Sequence, residues 1–298
     1  MNAMVLAAGL GTRLRPYTLE RPKPLFPLLD VPLLARTLAQ LRSHGTERIV
    51  VNAHHLREQI AGFCFGQEDV FVQLEGKELG TGGGLRLARS HFGNSPFLVV
   101  NGDIVHDLDL AKIYQGHAAS GAQVSMVLHD FPRFNNVLVD SADRILGFSC
   151  EADSRKGERL LAFTGIQVID PAVLDLIPQG VFHNIIDCYQ ALLAAGGRIQ
   201  GWVVQSHYWT DMGTPQDYLA LHGDLLSGRR QLLFLSTTVA GPFFHGSKAV
   251  IGDGVKLHDW VSIGSRAKIG DNSSLTRVVV WDGAEVAAGS VLSDTIII

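Results

Sequence analysis

The chain has few cysteines, no excess of basic charge and no long hydrophobic run. Its three cysteines, Cys64, Cys150 and Cys188, are widely spaced and form no CxxC pair, which argues against a disulfide framework or a zinc knuckle. The 25 basic and 29 acidic side chains give a formal net charge of −4, so no basic field indicates nucleic acid or an anionic membrane as a partner. No apolar run approaches the ~20 residues of a membrane span. We therefore expect a cytoplasmic protein.

The stretch that begins at Met4 carries the most informative motif. It reads MVLAAGLGTRLRP and leads into a Pro-Lys-Pro centred on Lys23. The apolar run predicts a buried strand rather than a secretory signal, because no basic segment precedes it. The turn with Gly9 and Gly11 exposes backbone N–H groups that can approach an anion, and Arg13 and Lys23 add positive charge. The stretch therefore predicts a polyphosphate site.

Two familiar phosphate motifs do not fit this loop. No Gly-Lys-Ser/Thr follows it, and Leu14 stands where a dinucleotide fingerprint has its third glycine. The stretch from Leu6 to Leu14, with its Pro-Lys-Pro, instead resembles the signature of the sugar-1-phosphate nucleotidylyltransferases, and later segments extend the resemblance over most of the chain. The resemblance implies an enzyme that transfers a nucleotidyl group from an NTP to a sugar 1-phosphate, giving an NDP-sugar and pyrophosphate.

Apolar runs alternate with helical patterns along the first part of the chain. This alternation predicts an α/β fold with a doubly wound, mostly parallel sheet. The resemblance implies the Rossmann-like sheet of a nucleotidyltransferase. Ligands of such sheets lie beyond the carboxyl ends of the strands. We expect a catalytic domain over residues 1–228, a linker over 229–249 and a separate repeat over 250–298.

The C-terminal segment has an apolar period of six. Apolar residues recur at Ile251, Leu257, Ile263, Ile269 and Leu275, and the register slips by one residue before the period resumes. The pattern resembles the hexapeptide repeat of a left-handed parallel β-helix, with a stacked apolar interior that needs a cap or a partner. The terminal Thr295-Ile296-Ile297-Ile298 either closes the chain's own core or forms a surface for a homo-oligomer, and the pattern leaves both open.

Two aspartates are candidate metal ligands. Asp103 follows a buried apolar run, and Asp211 lies in a Trp-Thr-Asp-Met-Gly-Thr-Pro turn. Mg²⁺ is commonly bound by one or two carboxylates together with phosphate oxygens and waters, and both aspartates resemble the family's metal ligands in their surrounding motifs. Mg²⁺ is therefore the expected cofactor.

The resemblance assigns further residues to the nucleotide. Leu6, Gly9, Gly11 and Thr12 belong to the loop that contacts it, Arg13 neutralises the β- and γ-phosphates, and Lys23 acts at the α-phosphate; Arg15 and Arg21 are expected to be solvated rim charges. Glu75 and Gly80 match the residues that read the base. An ionised Glu only accepts hydrogen bonds, and guanine offers two adjacent donors, so Glu75 favours GTP. This points to a mannose- or heptose-1-phosphate guanylyltransferase.

The acceptor side departs from the family pattern. Asn136 stands where a glycine commonly faces the sugar, and the family's Glu-Lys-Pro is missing, so Lys156 or Arg155 is the candidate phosphate contact. Thr164 and Gly165 lie on the strand that resembles the sugar-contacting strand of muramate-type uridylyltransferases.

Other functions remain open at this stage. One is a uridylyltransferase acting on an amino-sugar 1-phosphate, and another is a non-catalytic nucleotide-sugar sensor. A hexapeptide acyltransferase with His245 or His258 as base is the third, but the repeat is short for an acyl-CoA cleft.

Overall fold

The computed structural model describes residues 1–148, 157–228 and 241–298. Within them the chain forms two compact units, each assembled from segments that are distant in sequence. Unit 1 comprises Met1–Leu10, Gln40–Gly102 and Leu108–Trp209, and unit 2 comprises Gly11–Ala39, Asp103–Asp107 and Thr210–Ile298. The domain boundaries expected near residues 228 and 249 stay predictions.

The described residues form seven α-helices and twenty strands. None of these helices is both long enough and apolar enough to cross a bilayer. The helices are α1 (Tyr17–Glu20), α2 (Leu33–Ser43), α3 (Arg57–Cys64), α4 (Gly80–Ala88), α5 (Leu110–Ser120), α6 (Ile185–Ala194) and α7 (Pro215–Leu226). The strands are β1 (Asn2–Leu6), β2 (Pro27–Leu28), β3 (Val31–Pro32), β4 (Arg48–Ala53), β5 (Val70–Leu74), β6 (Phe97–Asn101), β7 (Ile104–His106), β8 (Val124–His129), β9 (Val137–Val139), β10 (Ile145–Phe148), β11 (Arg159–Ile169), β12 (Ile199–Val203), β13 (Trp209–Asp211), β14 (Phe243–His245), β15 (Val250–Ile251), β16 (Lys256–Ile263), β17 (Lys268–Ile269), β18 (Ser274–Val280), β19 (Glu285–Val286) and β20 (Val291–Ile297).

Unit 1 is built on a mixed nine-stranded sheet whose centre is parallel. β1 pairs in parallel with β4 on one side and β6 on the other, and β5 continues the sheet beyond β4. β11 runs antiparallel to both β6 and β8, while β12 is parallel to β8. Met4, Val50 and Val99 are fully buried, as expected for strands covered on both faces. The predicted α/β fold with a mostly parallel sheet is confirmed.

The register of the central strands explains where the chain leaves unit 1. Leu6, the last residue of β1, pairs with Asn101, the last residue of β6. The glycine-rich loop and the segment with Asp103 therefore begin at the same edge of the sheet. This edge is formed by the carboxyl ends of the strands, where ligands of such sheets bind.

In unit 2 the C-terminal segment forms a stack of parallel strands. One face consists of β14, β16, β18 and β20, and another of β15, β17 and β19. Val250 pairs with Lys268, an offset of 18 residues, which is three hexads per coil. Beyond a bulge the offset falls to 17, since Val261 pairs with Val278. The expected stack of parallel strands and its register shift of one residue are both present. The left-handedness of the stack stays a prediction.

The apolar interior of this stack matches the predicted rows over its middle. Ile263, Ile269 and Leu275 are at most 2% exposed. Ile251 and Ile298, at the two ends of the pattern, are 42% and 46% exposed. The six-residue period therefore identifies the buried face of the stack over its middle, while its first and last apolar positions are partly exposed.

A buried histidine makes the stability of unit 2 pH-dependent. His222 in α7 is fully buried; its Nε2 accepts the N–H of Leu29, and burial lowers its pKa to about 4. The unfolded chain, with a His pKa of about 6.5, binds a proton that the folded chain does not, so stability falls as the pH decreases from about 6.5 to about 4. We expect the urea midpoint to fall less between pH 7.5 and 5 in His222→Gln than in the wild type.

The matched control for this prediction is His258→Gln, which removes an exposed histidine from the same unit. Its urea midpoint should follow the pH in the same way as the wild type. If His222→Gln and His258→Gln have the same pH dependence, the buried neutral imidazole is not the cause.

Candidate active site

The glycine-rich loop turns sharply at Gly11. Gly11 has a φ of +60°, and a Cβ at this position would lie 2.8 Å from Cγ2 of Thr18, whose hydroxyl donates to the Gly11 carbonyl. Only glycine fits such a turn without strain. The short 3₁₀ helix that follows buries Leu14 and leaves Thr12 and Arg13 exposed. The Arg13 side chain is thus exposed to solvent, two residues after the turn at Gly11.

Lys23 is held in a buried 3₁₀ turn. Pro22 enters the turn with an extended backbone, and the N–H of Phe26 closes it on the Lys23 carbonyl. Lys23 is only 7% exposed. Its ammonium group donates to Oδ2 of Asp103 at 2.7 Å and to Oδ1 of Asp211 at 3.3 Å. The structure therefore brings together the lysine and both aspartates that the sequence singled out.

Asp211 is the more enclosed of the two carboxylates. Its side chain is 17% exposed, against 34% for Asp103. Burial raises the pKa of Asp211, the Lys23 ammonium opposes this rise, and the Asp103 charge adds to it. Arg13 approaches the other Asp211 oxygen at 3.8 Å. Gly213 allows this approach, because a Cβ there would lie 2.8 Å from Oδ2 of Asp211.

These four side chains form a charge-balanced cluster, which we call the charged cluster: Arg13, Lys23, Asp103 and Asp211. Two cations and two anions cancel, so a triphosphate would add negative charge that nothing in the cluster offsets. The carboxylates of Asp103 and Asp211 lie close enough to accept hydrogen bonds from the same ammonium nitrogen. Such a pair suits Mg²⁺, which takes one or two carboxylates and completes its shell with phosphate oxygens and waters. Among the described residues, no group of three or more His, Cys, Asp or Glu side chains is arranged to hold a metal alone. The residues fit a metal shared with a phosphate substrate.

Glu75 lies in unit 1, in a buried hydrogen-bond network. It is 2% exposed, and its Oε1 accepts from the amides of Asn52 at 2.8 Å and Gln73 at 3.3 Å. Burial raises its pKa, and these two donors oppose the rise. Asn52 also accepts the N–H of Ala7 at 2.8 Å. Glu75 therefore orients the amide that holds the beginning of the glycine-rich loop, a link that the sequence analysis did not anticipate.

The remaining nucleotide candidates lie at element ends. Leu6 ends β1, and Gly80, with a φ of +68°, begins α4. Gly9 is exposed, and no atom lies within 4 Å of the position of a Cβ there. Gly9 is thus open to a ligand, whereas a Cβ on Gly80 would meet the His183 carbonyl at 2.7 Å.

The residues predicted to contact the sugar 1-phosphate differ in how far they are exposed to solvent. Asn136 is exposed. Thr164 is fully buried, with its hydroxyl donating to the Val127 carbonyl and its own carbonyl accepting from the indole of Trp209 at 2.7 Å. Its side chain is therefore committed within the protein.

Gly165 has a φ of +83° and lies against the Asn101 side chain. Lys156 and Arg155 lie outside the described residues. The sugar-contacting roles of Asn136, Thr164, Gly165 and Lys156 stay predictions.

Three residues of these sites were not singled out from the sequence. Asn52 directly follows the buried apolar residues Ile49, Val50 and Val51 of β4, and a polar residue at such a place is a signal that pattern analysis can find. Gln73 looks like an ordinary strand residue, and only its hydrogen bonds identify it. Trp209 begins the motif that contains Asp211, but only its hydrogen bond to the Thr164 carbonyl shows what its side chain does.

The parallel strands with a glycine-rich loop at their carboxyl edge are typical of α/β nucleotide-binding folds. The model of the nucleotidyl transferase family matches residues 2–228. The chain is 33% identical to a mannose-1-phosphate guanylyltransferase of Mycobacterium tuberculosis over 98% of this chain and 83% of that protein. A UTP–glucose-1-phosphate uridylyltransferase of Synechocystis is 29% identical, over 100% of this chain and 87% of that protein.

Solved structures support the same fold. HddC from Yersinia pseudotuberculosis, known in complex with GMP-PN, superimposes with a TM-score of 0.62 at 23% identity, covering 74% of this chain and 97% of HddC. The chain belongs to the nucleotidyl transferase family and is an enzyme.

Proposed function

We propose that this enzyme transfers a nucleotidyl group, from GTP in preference to other NTPs, to a sugar 1-phosphate. The observation that supports this most directly is the Lys23 ammonium group shared by Asp103 and Asp211, beside an exposed Arg13. A cluster of this kind suits a reaction in which two phosphate substrates must approach each other. The names of the relatives in Mycobacterium tuberculosis and Arabidopsis thaliana, both mannose-1-phosphate guanylyltransferases, favour guanine and mannose.

The chemistry needs positioning more than covalent participation. A phosphate oxygen of the sugar 1-phosphate attacks the α-phosphorus of the NTP, and the bond from this phosphorus to the bridging oxygen of the β-phosphate breaks. The bridging oxygen leaves with its electron pair in pyrophosphate. Lys23 stabilises the charge that develops around the α-phosphorus, and Arg13 holds the departing phosphates. Both act as fixed charges and exchange no proton.

Asp103 and Asp211 would hold a Mg²⁺ ion, as the sequence resemblance implies. When bound, the metal supplies positive charge to the phosphate oxygens and orients them. The two carboxylates compete for the Lys23 ammonium in the structure without substrate. A Mg²⁺ ion held by these carboxylates would weaken their attraction on Lys23, so that the ammonium group could interact with a phosphate oxygen.

The base preference rests on Glu75. An ionised carboxylate accepts hydrogen bonds only, and it suits the two adjacent donors of guanine better than the single donor of uracil. Oε1 of Glu75 already accepts from Asn52 and Gln73, so a guanine base would share the carboxylate with these two amides. The relative in Synechocystis, a UTP–glucose-1-phosphate uridylyltransferase, keeps uridylyl transfer as the second candidate function.

We expect Glu75→Gln to lower the ratio of kcat/KM for GTP to that for UTP about tenfold, because an amide nitrogen repels the guanine N–H groups. The measurement is pyrophosphate release with each NTP and mannose 1-phosphate. Glu78→Gln, an exposed neighbour, is the matched control and should keep the wild-type ratio. A wild-type preference for UTP, or an unchanged ratio in Glu75→Gln, would refute the assignment of Glu75.

We further propose that the chain forms a homo-oligomer through the stack of parallel strands β14 to β20, which we call the C-terminal coil. Val291, the first residue of β20, is 80% exposed, and Ile298, directly after this strand, is 46% exposed. These side chains suit a second copy of the chain.

A further inference from the structure

The segment with Lys23 is joined to the C-terminal coil through an aromatic cluster within unit 2. Phe26 is fully buried and packs edge-on against Tyr218 of α7, with ring centroids 5.7 Å apart, and against Trp281, with centroids 4.7 Å apart. The indole N–H of Trp281 donates to the Tyr218 oxygen at 3.2 Å, and the Tyr218 hydroxyl donates to the Pro27 carbonyl. Trp281 directly follows β18 of the coil, so the coil contacts the chain three residues beyond Lys23.

A second contact holds the other side of the Lys23 turn. The Arg21 guanidinium lies over the Trp281 ring, 4.6 Å from its centroid, and donates to Oδ1 of Asp282 at 2.8 Å. The pKa of Asp282 is lowered because the charge and hydrogen bond of Arg21 outweigh the effect of burial. Arg21 is therefore paired with the coil and is not the solvated rim charge that its sequence position suggested.

The hairpin that follows the turn is fixed at its tip. β2 and β3 pair around Leu29 and Asp30, and Leu29 has a φ of +60°, which is rare for a branched side chain. The Leu29 N–H donates to His222. Both oxygens of Asp30 accept from Ser265 of the coil, Oδ1 from its N–H at 2.9 Å and Oδ2 from its hydroxyl.

These contacts matter because the Lys23 turn has little structure of its own. It is a single 3₁₀ turn of three residues, which its own hydrogen bonds hold weakly. On both sides, at Arg21 and at Phe26, the same Trp281 ring supports it. A shift of this ring moves both supports of the lysine together.

We propose that Trp281 is a positioning residue of the transferase reaction, through which the C-terminal coil holds Lys23 against Asp103 and Asp211. The expected effect on kcat rests on the proposed function, whereas the expected effect on the position of Lys23 does not. The coil then supports the active site through the contacts of Trp281. Trp281 touches no reacting atom; it acts through the backbone that carries the lysine.

A double-mutant cycle tests this role. Trp281→Leu should lower kcat about tenfold and change KM less than twofold, because the affected interaction belongs to the transition state. In a Lys23→Met background the same change should lower kcat less than twofold, since the lysine it acts through is gone. Val286→Ala, which truncates a buried side chain elsewhere in the coil, is the control and should keep the wild-type kcat. Additive effects of Trp281→Leu and Lys23→Met would overturn the proposal.

A cavity at Trp281 also costs stability, so two further variants separate positioning from folding. Trp281→Phe keeps a ring against Phe26 and should restore most of the lost kcat. Asp30→Ala removes the link to Ser265 without opening a core cavity and should lower kcat about threefold at unchanged KM. Full activity of Asp30→Ala together with no rescue by Trp281→Phe would contradict the proposal.

A measurement without substrate keeps this test independent of the proposed function. In ¹⁵N-lysine NMR spectra, the ammonium protons of the buried Lys23 should be visible in the wild type and in Val286→Ala, and Lys23→Arg assigns the signal. They should be lost through fast exchange with water in Trp281→Leu. A retained signal in Trp281→Leu would overturn the positioning role. A wild type that turns over no substrate pair would refute the proposed function, and the NMR result alone would then decide on Trp281.

Discussion

Asp211→Asn is expected to lower turnover by a factor on the order of a hundred or more, with normal folding. The amide has nearly the same shape but loses the charge that a Mg²⁺ ion needs, and the loss of such a charge clamp costs about this much in the transition state. Asp103→Asn should behave similarly, because its carboxylate shares the Lys23 ammonium with Asp211. The measurement is pyrophosphate release at saturating GTP, sugar 1-phosphate and Mg²⁺.

Asp107→Asn serves as the matched control for these variants. Asp107 is an exposed aspartate in the same short segment as Asp103, so its replacement should leave turnover near the wild-type rate. Activity close to that of the wild type in Asp103→Asn or Asp211→Asn would remove that residue from the metal site.

Lys23→Met is expected to reduce kcat by a factor of about a hundred to a thousand, since it removes a preorganised cation from the reacting phosphate. It also leaves two carboxylates facing each other without their shared cation. Removing one partner of a buried ion group is destabilising, so we expect the melting temperature in the absence of divalent cations to fall by about 5 °C.

Mg²⁺ should then stabilise Lys23→Met more than the wild type, because the ion replaces the missing charge between Asp103 and Asp211. The comparison is the shift in melting temperature between 0 and 10 mM (roughly a saturating level for weak Mg²⁺ sites). Lys112→Met removes the charge of a lysine on α5 in unit 1 and is the control. An equal Mg²⁺ shift in wild type and Lys23→Met would indicate that the carboxylates do not bind the metal.

The elements that could be predicted from sequence are those with an uninterrupted apolar period. β1, β4, β5 and β6 are short apolar runs bounded by polar turns, and the six-residue rows of the coil identify its interior, including the slip that appears as a change of offset between β16 and β18. The helix α5 was not predicted, although Asp109 caps it and Leu110 and Ile113 are buried on one side. Gly116 interrupts its pattern, because the Trp202 ring fills the space that a Cβ would need.

The charged cluster was predictable because each member lies in a motif. Arg13 and Lys23 follow the first strand, and Asp103 and Asp211 lie in recognisable sequence motifs. β13 pairs with β7, and within unit 2 the N–H of Met212 donates to the Asp103 carbonyl at 3.1 Å, which brings Asp103 and Asp211 to the same ammonium nitrogen. The role of Trp281 had no such signal, because a tryptophan in an apolar repeat looks like another core residue until its contacts with Phe26 and Arg21 are seen.

The most direct test of the account is pyrophosphate release by the purified full chain, measured for the four common NTPs against a panel of sugar 1-phosphates with Mg²⁺. We predict turnover with at least one pair, fastest with GTP, and accumulation of the NDP-sugar in equal amount to pyrophosphate. Binding of nucleotide without turnover of any pair would contradict sugar-1-phosphate nucleotidyl transfer as the activity of this chain.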